Sequence, residues 1–269
     1  MTGQEAVERI HQEAWIGREP GLSRITKLLS MVGDPHKALK FVHITGTNGK
    51  GSTAAMTASI LAAAGLRVGL YTSPHLWRFH ERFQVSGQPI PDEALGRIGE
   101  RVILAGRQMD DPATEFELMT ALGMLYFQEA KCDLVVLEVG LGGRLDSTNV
   151  IPAPEVAVIT NIGDAHIENL GSRQGILKAK SEIFETMDPT GLAVLNGDDP
   201  LLRPLAGELP TQTVLCGADH QPPYEALEIH SQGAKGLQLT VKTPHATFPV
   251  TVPAPGEHMI YPVLMACAI

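Results

Sequence analysis

The residues best suited to chemistry lie in one run: Phe41, Val42, His43, Ile44, Thr45, Gly46, Thr47, Asn48, Gly49, Lys50, Gly51, Ser52 and Thr53. An apolar, β-branched stretch enters a glycine-rich turn, and a helix-forming run follows. That order suits an anion cradle. Glycines let the backbone approach a phosphate without a Cβ clash. The first N–H groups of a helix lack intrahelical partners and carry partial positive charge. Lys50 adds a full charge, and Ser52 or Thr53 offers a hydroxyl to a phosphate or its Mg²⁺. The spacing departs from the usual G-x-x-x-x-G-K-[ST] loop, because Gly46 and Gly49 are close and Gly51 intervenes after Lys50. The alternative is a plain strand-to-helix turn with a surface lysine.

Of four further motifs, three follow a strand signal and the last lies within a helical stretch. Tyr71-Thr72-Ser73-Pro74-His75 places a hydroxyl at Ser73, with an ordinary loop start as the alternative. Leu137-Glu138-Val139-Gly140-Leu141-Gly142-Gly143-Arg144-Leu145-Asp146 ends an apolar strand on a carboxylate. Such a group is costly to bury unless partnered, and a metal ion is a natural partner for Glu138; a solvated loop glutamate is the bland reading. Thr160-Asn161-Ile162-Gly163-Asp164-Ala165-His166 puts His166 where it could bind a metal, although a lone histidine is more often structural. In the last motif, Lys178 and Glu182 have the spacing of a surface ion pair, and Lys180 lies on another helix face.

The elements that must position these residues alternate. Residues 5–33 read as helical with a break at 17–21. Strand signals recur at 38–45, 67–72, 133–139, 156–162 and 191–195, with helices at 52–64, 92–109, 114–130 and 172–187. Alternation of this kind implies parallel βαβ units, an α/β fold with a mostly parallel sheet flanked by helices. Ligands in such sheets bind beyond the carboxyl ends of the strands, so the motifs should converge. After Pro210 short strands at 226–229, 237–241 and 247–252 suggest a small antiparallel section. The expected organisation is one domain over 1–269: a parallel core over 1–209, a β section over 210–255, and a helix over 256–269 that the chain's end cuts short.

Composition narrows the function. With 269 residues, 43% hydrophobic and 19% charged, the chain can bury a sizeable core. A net charge of −9 argues against a nucleic-acid partner. No secretory leader is read at the N-terminus and no apolar run is long enough to span a membrane; the richest, 60–70, contains Gly65 and Arg67. Cys132, Cys216 and Cys267 are scattered in apolar surroundings and read as reduced cysteines of a cytoplasmic protein.

Together the motifs resemble the ATP-dependent Mur ligase superfamily. Residues from about 5 to 160 are similar to folylpolyglutamate synthase/dihydrofolate synthase. The match is carried by residues 43–52, by Thr72-Ser73-Pro74-His75 with residues 78–83, and by residues 137–149. Residues 161–269 look closer to the D-alanyl-D-alanine-adding ligase of peptidoglycan synthesis, through 164–166, 179–184, 195–200 and 256–268. Pro262 stands where that family usually has an adenine-contacting asparagine. The resemblance implies a Mur-type P-loop ATPase domain without the superfamily's C-terminal ligase domain. It implies ATP and Mg²⁺ as cofactors. Thr47, Asn48, Gly49, Lys50, Gly51 and Ser52 would hold the nucleotide phosphates, and Ser73, Glu138 and His166 would bind Mg²⁺. Lys180 matches a lysine that is often carbamylated in the family; Lys50, Lys180 and His166 would form the catalytic set. The implied reaction activates a carboxylate as an acyl phosphate and joins it to L-glutamate. The acceptor would be a folate or dihydropteroate bound near residues 73–83, with Arg78 and Arg82 facing its anionic groups. The alternatives are a muramyl-peptide ligase, an ATP-binding module without turnover, and a generic P-loop ATPase. A monomer acting on small molecules is expected.

Overall fold

The computed structural model describes residues 1–12, 21–164 and 172–269. In chain order its α-helices are α1 (Gly3–His11), α2 (Ser23–Met31), α3 (Lys50–Ala63), α4 (Asp92–Arg107), α5 (Glu115–Glu129), α6 (Arg173–Ser181), α7 (Leu202–Leu205) and α8 (Ile260–Ala268). Its strands are β1 (Phe41–Thr45), β2 (Val68–Tyr71), β3 (Phe83–Val85), β4 (Gln88–Pro89), β5 (Leu134–Glu138), β6 (Val156–Ile159), β7 (Leu192–Asn196), β8 (Gln212–Gly217), β9 (Tyr224–Ser231), β10 (Leu237–Lys242) and β11 (Thr247–Val252). The fold class is the expected one, α/β with mostly parallel strands flanked by helices. The chain divides into two compact units, one made of Met1–Phe41 and Leu61–Pro152, the other of Val42–Ile60 and Ala153–Ile269.

In the first unit the strand order is β5-β2-β3-β4. β2 runs parallel to β5, with Tyr71 opposite Leu137, and antiparallel to β3, with Tyr71 opposite Phe83. The helices start where side chains can satisfy the first N–H groups. At α1, Thr2 Oγ1 accepts from Glu5 N and Thr2 N donates to the Glu5 carboxylate. Thr114 and Glu117 repeat this reciprocal cap at α5. Glu117 is only 2% exposed, and both its oxygens accept from Arg24 Nε at 3.1 Å. This ion pair links α2 to the start of α5. The core behind it is formed by Ile25, Leu28, Leu95, Ile98, Leu122 and Phe127, all essentially inaccessible.

In the second unit the order is β11-β10-β9-β8-β7-β6-β1. β1, β6, β7, β8 and β9 run parallel, and β10 and β11 add antiparallel strands. All five residues of β1 and all four of β6 are buried, which explains why these strands read as unbroken apolar runs.

Several boundaries differ from the sequence reading. Gln212–Gly217 is a strand that the pattern did not reveal, and it extends the parallel ladder past Pro210. The antiparallel pairing therefore begins only with β10. The hairpin of β3 and β4 was also missed; its strands have three and two residues, too short for a period to register. The strand expected over 38–45 begins only at Phe41, because Ala38 closes a 3₁₀ turn over Pro35–Ala38. β6 stops at Ile159, not at 162, because Thr160–Gly163 turns aside to meet the loop after β1. The helix expected over 172–187 is α-helical only to Ser181, then 3₁₀ over Glu182–Phe184.

Candidate functional site

In the second unit the loop after β1 gathers several functional groups. Gly46 leaves the strand at φ +149°, and a Cβ there would lie 1.8 Å from Thr160 Oγ1. Only glycine permits that approach. Gly49 has φ +80° and turns the chain into α3, which begins at Lys50. Lys50 Nζ folds back and donates to the Gly46 carbonyl at 3.2 Å. Lys180, on α6 and 7% exposed, donates to the same carbonyl at 3.0 Å. Two lysines 130 positions apart in the sequence thus meet on one backbone oxygen. Both ammonium groups lie beside the start of a helix, where positive charge and unpaired N–H groups favour an anion.

A strap following β6 shapes this loop. Asn161 Oδ1 accepts from Thr47 N at 3.1 Å and from Asn48 N at 2.9 Å. Thr47 Oγ1 accepts from Gly163 N at 2.8 Å, and Thr160 Oγ1 donates to the Asn48 carbonyl at 2.5 Å. Thr47 and Asn48, expected among the phosphate-holding residues, therefore direct their N–H groups at Asn161. Asn161 has no functional role assigned to it by the sequence pattern. The available signal was an amide side chain directly beyond a buried parallel strand, level with the glycine loop.

In the first unit, Ser73 and Glu138 come together. They follow β2 and β5, whose parallel pairing sets the loops side by side. Ser73 N donates to Glu138 Oε2 at 3.0 Å, and Glu138 is 4% exposed. A buried carboxylate needs hydrogen-bond or charge partners. A carboxylate, with a serine hydroxyl on the adjacent loop, is the chemistry that suits a hard cation that keeps several waters, as Mg²⁺ does. Among the described residues no group of three or more His, Cys, Asp or Glu side chains forms a metal cage. His166 lies outside the described residues. Its neighbour Asp164 is exposed and pairs with Arg173 through two hydrogen bonds, which hold its carboxyl below the usual range.

The loop beyond Glu138 is pinned by Asp146, which accepts from Leu141 N, Thr148 N and Thr148 Oγ1. Burial raises the Asp146 pKa, and those hydrogen bonds partly offset it. The loop beyond Ser73 is pinned by Glu81, whose carboxylate accepts from the N–H groups of Leu76, Trp77 and Arg78. Arg82, expected to face an anionic ligand, is instead 8% exposed, with Nε donating to His75 Nδ1 at 3.0 Å and the guanidinium over the Phe79 ring. Burial, then the Arg82 charge, lower the His75 pKa and favour its neutral form. Arg78 is exposed.

Pro262 lies in the first turn of α8, where a missing N–H costs little, and its ring is 3.9 Å from where a Gly49 Cβ would stand. Cys132, Cys216 and Cys267 are free thiols; Cys216 is buried and the other two half-buried.

A family model, the Mur ligase middle domain, matches residues 44–269. The folylpolyglutamate synthase of Lacticaseibacillus casei is 41% identical over 204 residues, 74% of this chain and 46% of that protein. The dihydrofolate synthase/folylpolyglutamate synthase of Bacillus subtilis (strain 168) is 44% identical over 174 residues, 63% of this chain and 40% of that protein. The chain thus spans less than half the length of these curated relatives. A solved FPGS-AMPPCP-folate complex superposes with a TM-score of 0.90 at 32% identity, covering 100% of this chain and 66% of the other.

Proposed function

The chain belongs to the Mur ligase middle-domain family, and from that premise we propose that it is the nucleotide-binding part of an ATP-dependent ligase joining L-glutamate to a folate or dihydropteroate. The observation that carries the reading is the loop at residues 46–52, where Lys50 and Lys180 meet at Gly46 O beside the start of α3. The relatives' names, and the folate and nucleotide analogue in the solved complex, support the choice of substrates.

In the first step an acceptor carboxylate oxygen attacks the γ-phosphorus of ATP. The bond to the β–γ bridging oxygen breaks, giving an acyl phosphate and ADP. In the second step the amine of L-glutamate attacks the acyl carbon, phosphate leaves, and the amine loses a proton. Lys50 swings from the Gly46 carbonyl to the β- and γ-phosphates, and the N–H groups at the start of α3 hold their oxygens. The protein's contribution to the first step is alignment and charge neutralisation. Glu138, Ser73 and His166 are the proposed Mg²⁺ ligands, and the buried Glu138 carboxylate beside the half-buried Ser73 supports that reading. Bound Mg²⁺ would neutralise phosphate charge. Lys180 is the proposed family lysine of the catalytic set.

We place the protein in the cytoplasm as a monomer. Three free cysteines support the compartment, and no helix among the described residues is long and apolar enough to cross a membrane. The acceptor class is tested by measuring binding of dihydropteroate, tetrahydrofolate and a UDP-muramyl-tripeptide in the presence of a nonhydrolysable ATP analogue. Saturable binding of a pteridine supports the reading. Binding of the muramyl peptide alone transfers the chain to the peptidoglycan branch.

A further inference from the structure

The strap beyond β6 is held from behind as firmly as it holds the loop in front. Ile162 N donates to Asp199 Oδ2 at 2.7 Å, and Asn196 Nδ2 donates to the Thr160 carbonyl at 3.1 Å. Both anchors are buried, at 8% and 5% exposure, and follow or end β7, the strand next to β6. Asp199 is itself fixed by the N–H groups of Leu201 and Leu202. Its geometry therefore does not depend on a ligand. In front, one oxygen, Asn161 Oδ1, takes two successive N–H groups of the glycine loop. Two adjacent N–H groups pointing at one oxygen is the arrangement such loops offer to a phosphate oxygen.

We propose that Asn161 is the positioning residue of the nucleotide site. Its carboxamide permanently occupies the N–H groups of Thr47 and Asn48, and so fixes the loop such that phosphate is received only from Gly49 onward. The backbone carbonyl of Asn161 also accepts from Thr47 N at 3.1 Å. The Gly163 and Thr160 bonds to Thr47 and Asn48 lock the same joint from either side. Releasing it for each nucleotide would break several hydrogen bonds at once, whereas Lys50 needs to leave only one carbonyl. Asn196 and Asp199 hold the strap and never touch the ligand. Thr47 and Asn48 thus shape the site without contacting phosphate. This inference rests on the nucleotide-binding reading above.

The test combines site-resolved amide hydrogen exchange with calorimetric titration of Mg²⁺ and a nonhydrolysable ATP analogue. It uses the chain itself and its Asn161→Ala and Asn161→Asp variants. In the parent, the Thr47 and Asn48 amides should exchange slowly before nucleotide is added and change little after. Protection should then rise at Gly49–Ser52. Asn161→Ala should speed exchange at Thr47 and Asn48 and weaken nucleotide binding about tenfold, the order expected for losing a doubly used acceptor. Asn161→Asp keeps the acceptor and should restore slow exchange; it also decides the matter if the alanine variant does not fold, with fast exchange counting against the proposal. Fast exchange at Thr47 and Asn48 in the nucleotide-free parent, a sharp rise there on binding, or an alanine variant within twofold of the parent would each overturn it. A parent that binds no nucleotide, with both amides slow, would overturn the functional reading instead.

Discussion

His43 gives the sharpest quantitative consequence of how the strand beneath the phosphate loop is built. It sits in the middle of β1, fully buried opposite Ala157 of β6. Desolvation lowers its pKa from the usual 6.5 to about 3. The folded protein therefore keeps this imidazole neutral at a pH where the unfolded chain protonates it. Stability is full above pH 6.5 and falls as pH drops through the window from 6.5 to about 3. The slope approaches about 1.4 kcal/mol per pH unit, so moving from pH 7 to pH 5 costs about 2 kcal/mol from this one group. Urea unfolding at the two pH values, on the parent and on His43→Gln, isolates the effect from other titrating groups such as the buried His36. The parent should lose about 2 kcal/mol more than the variant. Equal losses would refute the claim that β1 holds a neutral histidine.

Two other changes test the fold around the site. Gly46→Ala would drive a Cβ into Thr160 Oγ1 at a positive φ; we expect a loss of roughly 2–4 kcal/mol in unfolding free energy, with nucleotide binding lost alongside it. Arg24→Ala leaves the Glu117 carboxylate buried without its ion-pair partner. Thermal and urea unfolding should show a loss of about 3–5 kcal/mol, and Arg24→Ala combined with Glu117→Gln should recover part of it.

The legible parts of the chain were those that a one-dimensional pattern can carry. β1, β5 and β6 are buried on both faces and so read as apolar runs, and a glycine loop opening a helix is visible from residue order alone. The helix expected over 114–130 is α5, Glu115–Glu129. What stayed hidden depends on partners distant in sequence. β8 has only two inaccessible residues, and its remaining positions are half-buried or exposed, so neither an apolar run nor a clear alternation marks it. The shortening of β6 follows from Asn161 and Thr160 binding a loop more than 110 positions earlier. Arg82 was expected to face an anionic ligand through the family resemblance around residues 73–83; its place beside His75 and over Phe79 is a tertiary fact. The buried pairing of Lys180 with Gly46 is another, since an isolated helix shows only that Lys180 leaves the face of Lys178 and Glu182.

The central claim is that the loop after β1, from Gly49 to Ser52, receives the phosphates of ATP during activation of an acceptor carboxylate. The most direct measurement is ADP release from ATP, Mg²⁺ and L-glutamate, with and without dihydropteroate or tetrahydrofolate, on this chain and on Lys50→Ala. Release that requires the acceptor and disappears in the variant is the expected result. Acceptor-independent release, or release undiminished by Lys50→Ala, would contradict the account.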